Sequence, residues 1–86
     1  MPVISMFYGI IIRMFFDDHN PPHFHAEYQG KKAVFDLDGN VLQSGEFPKA
    51  KIKYVQTWAE IHHEELIANW EISKTEGEIY KIDPLK

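Results

Sequence analysis

The sequence predicts an α+β fold, in which an antiparallel β-meander of three to five strands packs against one long amphipathic helix. Three observations support this prediction. Residues 3–46 contain short alternating apolar runs, residues 48–73 repeat apolar positions with a helical period, and an Asp-Gly-Asn turn signal occupies residues 38–40. A chain of 86 residues has room for one small domain, which we expect to span residues 1–86.

The first strand segments are apolar on both faces. Residues 3–5 and 8–16 are rich in β-branched and aromatic side chains, and only Arg13 interrupts the apolar character of 10–16. A strand of this kind is typical of the interior of a sheet. Pro21 and Pro22 end the segment, because proline cannot donate a hydrogen bond to a β-ladder.

The meander continues after the two prolines. Apolar and polar residues alternate again, and the Asp-Gly-Asn turn allows a last short strand to pair back, because Gly and Asn tolerate positive φ. These further strands are predicted at residues 24–29, 32–37 and 41–46.

The second half of the chain has the periodicity of a helix. Pro48 suits the first helical turn, where its missing N–H is no loss. Up to about Ser73, the apolar positions fall within a sector about 120° wide. Gly77 is expected to end the helix, and residues 78–85 to form a tail or a short final strand. The predicted stripe consists of Ile52, Val55, Trp58, Ala59, His62, Leu66, Asn69 and Trp70.

Charge and composition exclude several classes of function. The net charge is −4, and residues 60–86 carry the whole excess of acidic groups. Binding to nucleic acid would therefore need a local basic patch. The absence of cysteine excludes disulfides, thiolate metal ligands and cysteine nucleophiles. The longest apolar stretch, residues 6–12, is too short for a membrane span, so we expect a cytoplasmic protein without a membrane partner.

Three of the five histidines lie within seven residues, at His19, His23 and His25, after the carboxylates of Asp17 and Asp18. His23 and His25 are two positions apart at the start of a predicted strand, so they should point to the same side. The prolines between His19 and His23 should hold this loop in a defined conformation.

This histidine cluster is compatible with three chemistries. The first is a site for zinc or another divalent metal, built from His19, His23 and His25 with Asp17, Asp18 or His62. Alternatively, His23 and His25 can act as acid and base in RNA cleavage while Arg13 or the lysines bind phosphate. The third interpretation is structural, with imidazoles hydrogen-bonded to the backbone.

Two further features concern polar residues in unusual positions. His62 lies in the apolar stripe of the helix, and we expect it to find a hydrogen-bond partner on the sheet, in the loop that contains His23. Five lysines are candidates for a patch that binds phosphate or an acidic partner, and three of them oppose the dipole at the helix N-terminus. These lysines are Lys31, Lys32, Lys49, Lys51 and Lys53.

Three segments resemble the domain-of-unknown-function 4160 family of small bacterial proteins. They are residues 9–26, which contain Asp-His-Asn-Pro-Pro-His-Phe-His, residues 58–70 in the helix, and residues 82–85 in the tail. The family has no settled activity and implies no catalytic residues. Its genes are described beside those of another small family, domain-of-unknown-function 2442, in pairs that look like toxin–antitoxin operons. The resemblance therefore implies a small protein partner encoded nearby. It also implies that one protein of the pair is the toxin and the other is the antitoxin.

Taken together, the sequence favours a protein-interaction component of a two-gene, toxin–antitoxin-like system. A metal-independent ribonuclease with paired histidines is the alternative, and a histidine-cluster metal protein is the second alternative. A homodimer is also open, because an exposed strand edge such as residues 41–46 can pair with a second copy.

Overall fold

The computed structural model describes residues 2–16, 19–75 and 77–86. Five antiparallel strands form one sheet in the order in which they occur along the chain, and two helices follow. The α+β meander is confirmed, with the largest predicted number of strands. The elements are β1 (Val3–Phe7), β2 (Ile10–Arg13), β3 (His23–Tyr28), β4 (Lys31–Asp36), β5 (Val41–Gln43), α1 (Lys49–Ile61) and α2 (His63–Ser73).

Two tight turns with positive φ connect the first four strands in pairs. Tyr8 and Gly9, at φ 50° and 79°, join β1 to β2, and Gln29 and Gly30, at 48° and 82°, join β3 to β4. Positive φ at both residues of a two-residue turn matches the twist of the flanking strands. The prediction that residues 8 and 9 belong to a strand is therefore wrong, because Gly9 allows the chain to reverse there.

The carboxylate of Asp36 organises the turn between β4 and β5. It accepts hydrogen bonds from the backbone N–H of Asp38 at 2.9 Å and of Asn40 at 2.9 Å, and from the Asn40 side-chain amide at 3.0 Å. Gly39 adopts φ 89° between them. The turn predicted at residues 38–40 is confirmed.

Both helices pack on one face of the sheet and form the core with it. Trp58 on α1 is fully buried, with its ring centroid 5.5 Å from that of Phe7 and 5.7 Å from that of Phe24. Phe24 in turn stacks on Phe35 of the neighbouring strand, at 5.4 Å. Leu66 brings α2 into the same cluster. The predicted apolar stripe of the helical region is therefore the core-facing surface.

The prediction of one continuous helix over residues 48–73 is wrong, because the helix breaks at His62. His62 has φ −108° and ψ 26°, although its N–H and C=O still bond to Trp58 and Leu66. A straight helix of that length would be about 39 Å long, whereas the longest dimension of the molecule is 34 Å. The break lets both helical segments stay on the sheet.

The C-terminal segment forms a tail held by hydrogen bonds, which is one of the two predicted alternatives, and residues 77–86 contain no strand. The Ile82 N–H donates to the Ile4 carbonyl at 2.7 Å, the only backbone bond that the described residues show between this tail and β1. The Trp58 indole donates to the Asp83 carbonyl at 2.8 Å. Tyr80 bonds through its backbone to the Asn69 side chain. Side chains thus satisfy tail groups that a strand would have paired.

The second face of the sheet, which we call the open face, carries side chains that are half-buried or exposed. Strand pairing arranges them in two rows that cross the sheet. The first row contains Met6, Ile11, Glu27 and Lys32, and the second contains Val3, Arg13, His25, Val34 and Gln43.

In the described part of the chain, no helix is long and apolar enough to span a bilayer.

Candidate functional site

His23 begins β3 and is held by the proline loop that precedes it. Its Nδ1 lies 2.6 Å from the carbonyl oxygen of Pro21, which follows a cis peptide bond after Asn20. Because a carbonyl oxygen only accepts hydrogen bonds, Nδ1 carries a hydrogen. The His23 ring is buried and lies 5.4 Å from the Trp70 ring on α2. These two contacts connect the proline loop to the helix layer.

The structure brings the three predicted histidines together. The centroid of the His23 ring lies 5.5 Å from that of His19 and 5.1 Å from that of His25. His19 is exposed, whereas His25 is half-buried on the open face. The three imidazoles thus form a row that leads from the exposed loop to the open face of the sheet.

The metal hypothesis remains a prediction. Within residues 2–16, 19–75 and 77–86, no three His, Asp or Glu side chains are arranged to hold a metal ion. The carboxylates of Asp17 and Asp18, which the hypothesis includes, lie outside the described residues. The histidine row alone therefore does not form a metal centre.

A pocket of about 260 Å³ lies on the open face, next to His25. Arg13 is directly opposite His25 on the neighbouring strand, and the Phe15 ring lies edge-on to the imidazole at 4.5 Å. The Arg13 guanidinium is 4.0 Å from the Glu27 carboxylate, at the limit of an ion pair. The pocket is lined by Arg13, Phe15, His25, Ala26, Glu27 and Lys32.

This pocket combines an imidazole, two cationic side chains, one carboxylate and an aromatic wall. Such a set can bind an anionic group and exchange a proton with it. Arg13, His25 and Lys32 were predicted as site residues, whereas Phe15 and Glu27 were missed. The signal for both was available, because Phe15 lies two positions from Arg13 and Glu27 lies two positions from His25.

Comparison with known proteins gives one match. A family model described as "Domain of unknown function (DUF4160)" matches residues 9–71, well over half of the 86-residue chain. The chain belongs to the DUF4160 family. No curated protein and no solved structure matches it. The DUF4160 match includes the histidine row, the open-face pocket and the helix break, and it excludes the whole of β1, the last two residues of α2 and the tail.

The five lysines predicted as one patch lie on two surfaces of this DUF4160 chain. Lys32 lies on the open face, and Lys31, its neighbour in a strand, points to the helix side beside Tyr28. The Lys51 ammonium lies between the rings of Tyr28 and Tyr54. β-strand alternation thus places Lys31 and Lys32 on opposite faces of the sheet, and a binding role for the five lysines stays a prediction. The remaining two, Lys49 and Lys53, are exposed on α1.

The two histidines at the helix break do not join the histidine row. His62 bonds through Nδ1 to the Glu65 carboxylate at 2.6 Å. The prediction that its hydrogen-bond partner lies on the sheet is therefore wrong. Glu65 lies three residues after His62, in the first turn of α2, and is therefore within reach of the imidazole. His63, whose partner was not predicted, lies with Nε2 2.7 Å from the Asp38 carboxylate in the β4–β5 turn. These two contacts fix the start of α2 to its surroundings.

Proposed function

We propose that this DUF4160 chain is the protein-binding component of a two-gene, toxin–antitoxin-like pair, and that it binds its partner through the open face. The observation that carries the proposal is the one-sided packing of the sheet. Trp58 and Leu66 bring the helices onto one face, while the two rows of the open face remain accessible.

The composition of the open face supports a protein partner. Met6 is 61% exposed and stands opposite Ile11, so the β1–β2 side of the face presents adjoining aliphatic side chains. Glu27 and Lys32 continue the same row as a pair of opposite charges. Protein interfaces combine an apolar centre with polar groups that fix orientation and partner choice.

The family resemblance supports the identity of the partner as a small protein encoded by the adjacent gene, with the toxin and antitoxin roles still to be assigned between the two. We propose a cytoplasmic location for the pair. The support is compositional, because secreted domains of this size are commonly held by disulfides and this chain has no cysteine.

The decisive experiment is a calorimetric titration of the chain with the product of the adjacent gene. Met6→Lys places a charge on the open face, and we expect it to weaken binding at least about tenfold, as removal of a well-packed interface side chain does. Ile61→Lys is the matched control, because Ile61 is 62% exposed at the end of α1. Equal affinity of the two variants would contradict the proposal.

The open-face pocket favours a second candidate function, metal-independent cleavage of RNA. His25 and His23 would serve as acid and base, and Arg13 and Lys32 would bind the phosphodiester. The support is that Arg13, His25 and Lys32 line one pocket and that the His23 ring is 5.1 Å from that of His25.

This candidate is tested by incubating single-stranded RNA with the purified chain in excess chelator. Cleavage is expected to show a bell-shaped pH dependence and to be lost in His25→Ala. His63→Ala is the control, because His63 lies at the helix break and bonds to Asp38. Cleavage that persists in His25→Ala would eliminate the proposed site.

A further inference from the structure

An exposed cluster of aromatic and basic side chains lies at the end of the sheet where the β1–β2 turn meets α1. The ring centroids of Tyr8 and Tyr54 are 5.0 Å apart, with 34° between their planes. The Lys51 ammonium lies 5.3 Å from the Tyr54 ring and 5.1 Å from the Tyr28 ring. We call these four residues the tyrosine–lysine cluster.

Tyr8 occupies a conformation that tyrosine rarely adopts. Its φ of 50° is in the left-handed region, where Asn and Gly are favoured in tight hairpin turns. A bulky residue there carries a backbone cost, and such residues concentrate at functional sites. Tyr8 is 51% exposed and Tyr54 is 41% exposed. Two neighbouring aromatic surfaces are therefore presented to solvent.

The segment that carries Lys51 and Tyr54 is basic although the whole chain is acidic. Residues 47–59 contain three lysines and no acidic residue, and Lys31 stands opposite Tyr28 in the β3–β4 ladder. The net charge of −4 arises from residues 60–86. The cluster thus has the local positive charge that attracts a phosphate backbone.

We propose that the tyrosine–lysine cluster binds single-stranded nucleic acid. A base stacks on the exposed rings of Tyr8 and Tyr54, and Lys51 pairs with an adjacent phosphate. Aromatic side chains interleaved with cations bind single strands in this way, and the stacking tolerates any base. The inference goes beyond the protein-binding function and uses a different surface, so the failure of either proposal leaves the other intact.

The test measures the binding of short fluorescent oligouridylate and oligothymidylate by anisotropy at low salt. Tyr8→Asn removes the ring and keeps a residue suited to the turn, and Tyr54→Ala removes the second ring. Each is expected to weaken binding by about 5-fold to about 150-fold. Lys51→Ala is expected to reduce the slope of log affinity against log salt by about 0.7.

The controls separate stacking from general charge and from loss of fold. Tyr80→Ala removes a tyrosine that is 68% exposed in the tail, and Lys74→Ala removes a lysine that lies over the Trp70 ring at 4.4 Å. Both are expected to bind like the unmodified chain. Tyr8→Phe keeps an aromatic face and should retain affinity. Thermal unfolding of every variant shows whether it is folded.

Equal binding of RNA and DNA supports the stacking site. A preference for one of them also supports it and shows which nucleic acid is the ligand. The proposal is overturned if the unmodified chain does not bind single strands saturably, if duplex binds as tightly, or if Tyr8→Asn binds as well as the unmodified chain. It is also overturned if the cluster substitutions weaken binding of the partner protein and leave nucleic-acid binding unchanged.

Discussion

The side-chain amide of Asn69 forms two hydrogen bonds with the backbone of Tyr80. Its Nδ2 donates to the Tyr80 carbonyl at 2.7 Å, and its Oδ1 accepts from the Tyr80 N–H at 2.9 Å. Asn69 is buried on α2, so this pair fixes the tail against the helix layer. A polar residue on the apolar stripe is thus satisfied by the tail and not by the sheet.

Asn69→Asp should destabilise the protein, because the new oxygen faces the Tyr80 carbonyl and two acceptors then oppose each other. We expect a loss of about 2–4 kcal/mol in the free energy of unfolding at neutral pH, measured by urea denaturation. Burial raises the pKa of the introduced carboxyl in the folded state, so the deficit should shrink as the pH falls.

Gln56→Glu is the matched control for this change. The Gln56 amide also donates to a backbone carbonyl, that of Gly39 at 3.0 Å, but Gln56 is exposed. Because water can replace the lost donor there, the cost should stay below about 1 kcal/mol. Equal losses in the two variants would show that burial does not control the effect.

Trp58→Phe keeps an aromatic ring in the core but removes the indole N–H that bonds to the Asp83 carbonyl. We expect a loss of about 1–3 kcal/mol, from the missing hydrogen bond and the smaller ring. Hydrogen exchange of the Ile82 amide, which bonds to Ile4, should accelerate more than the loss of global stability explains. Unchanged protection of Ile82 would show that the indole does not hold the tail.

Gln29→Asn should stabilise the protein, because Gln29 has φ 48° in a two-residue turn before Gly30. Asn-Gly is a favoured sequence for such turns, and the gain should reach up to about 1 kcal/mol. Gly30→Ala is the opposing variant, since an added Cβ meets no atom within 4 Å and the cost is purely conformational. It should lose about 1–2 kcal/mol in thermal or urea unfolding.

His23→Phe tests the structural role of the buried histidine. The substitution keeps a ring beside Trp70 and removes the Nδ1 hydrogen that bonds to Pro21, so we expect a loss of about 1–2 kcal/mol in urea unfolding. His63→Phe is the comparison, because the His63–Asp38 pair is much more exposed and should contribute under about 1 kcal/mol. A larger loss in His63→Phe would reverse this assignment.

Local periodicity was sufficient to predict the meander and the core-facing stripe, because alternation and helical spacing depend on nearby residues. It failed at Tyr8, where a turn interrupts an apolar run and only Gly9 indicates it. It failed again at His62, because the apolar spacing continues through the helix break. Contacts between distant residues, such as His63 with Asp38, have no local signal.

Like the fold, the candidate site was predicted from the sequence only in part. Spacing of two along β3 placed His23 and His25 on one side, and both lie in the histidine row. The opposition of Arg13 and His25 depends on the register of β2 against β3, which local spacing along either strand does not specify. In the same way, the register of β3 against β4, which pairs Lys32 with Glu27, brings Lys32 to the pocket.

The most direct test of the central claim is to follow the backbone amide NMR signals of the labelled chain as the adjacent-gene protein is added. If the partner binds the open face, the largest shifts occur in β1–β4, at the two rows that contain Met6, Ile11, His25 and Val34. Shifts confined to the outer surfaces of α1 and α2, with these rows unchanged, would contradict it.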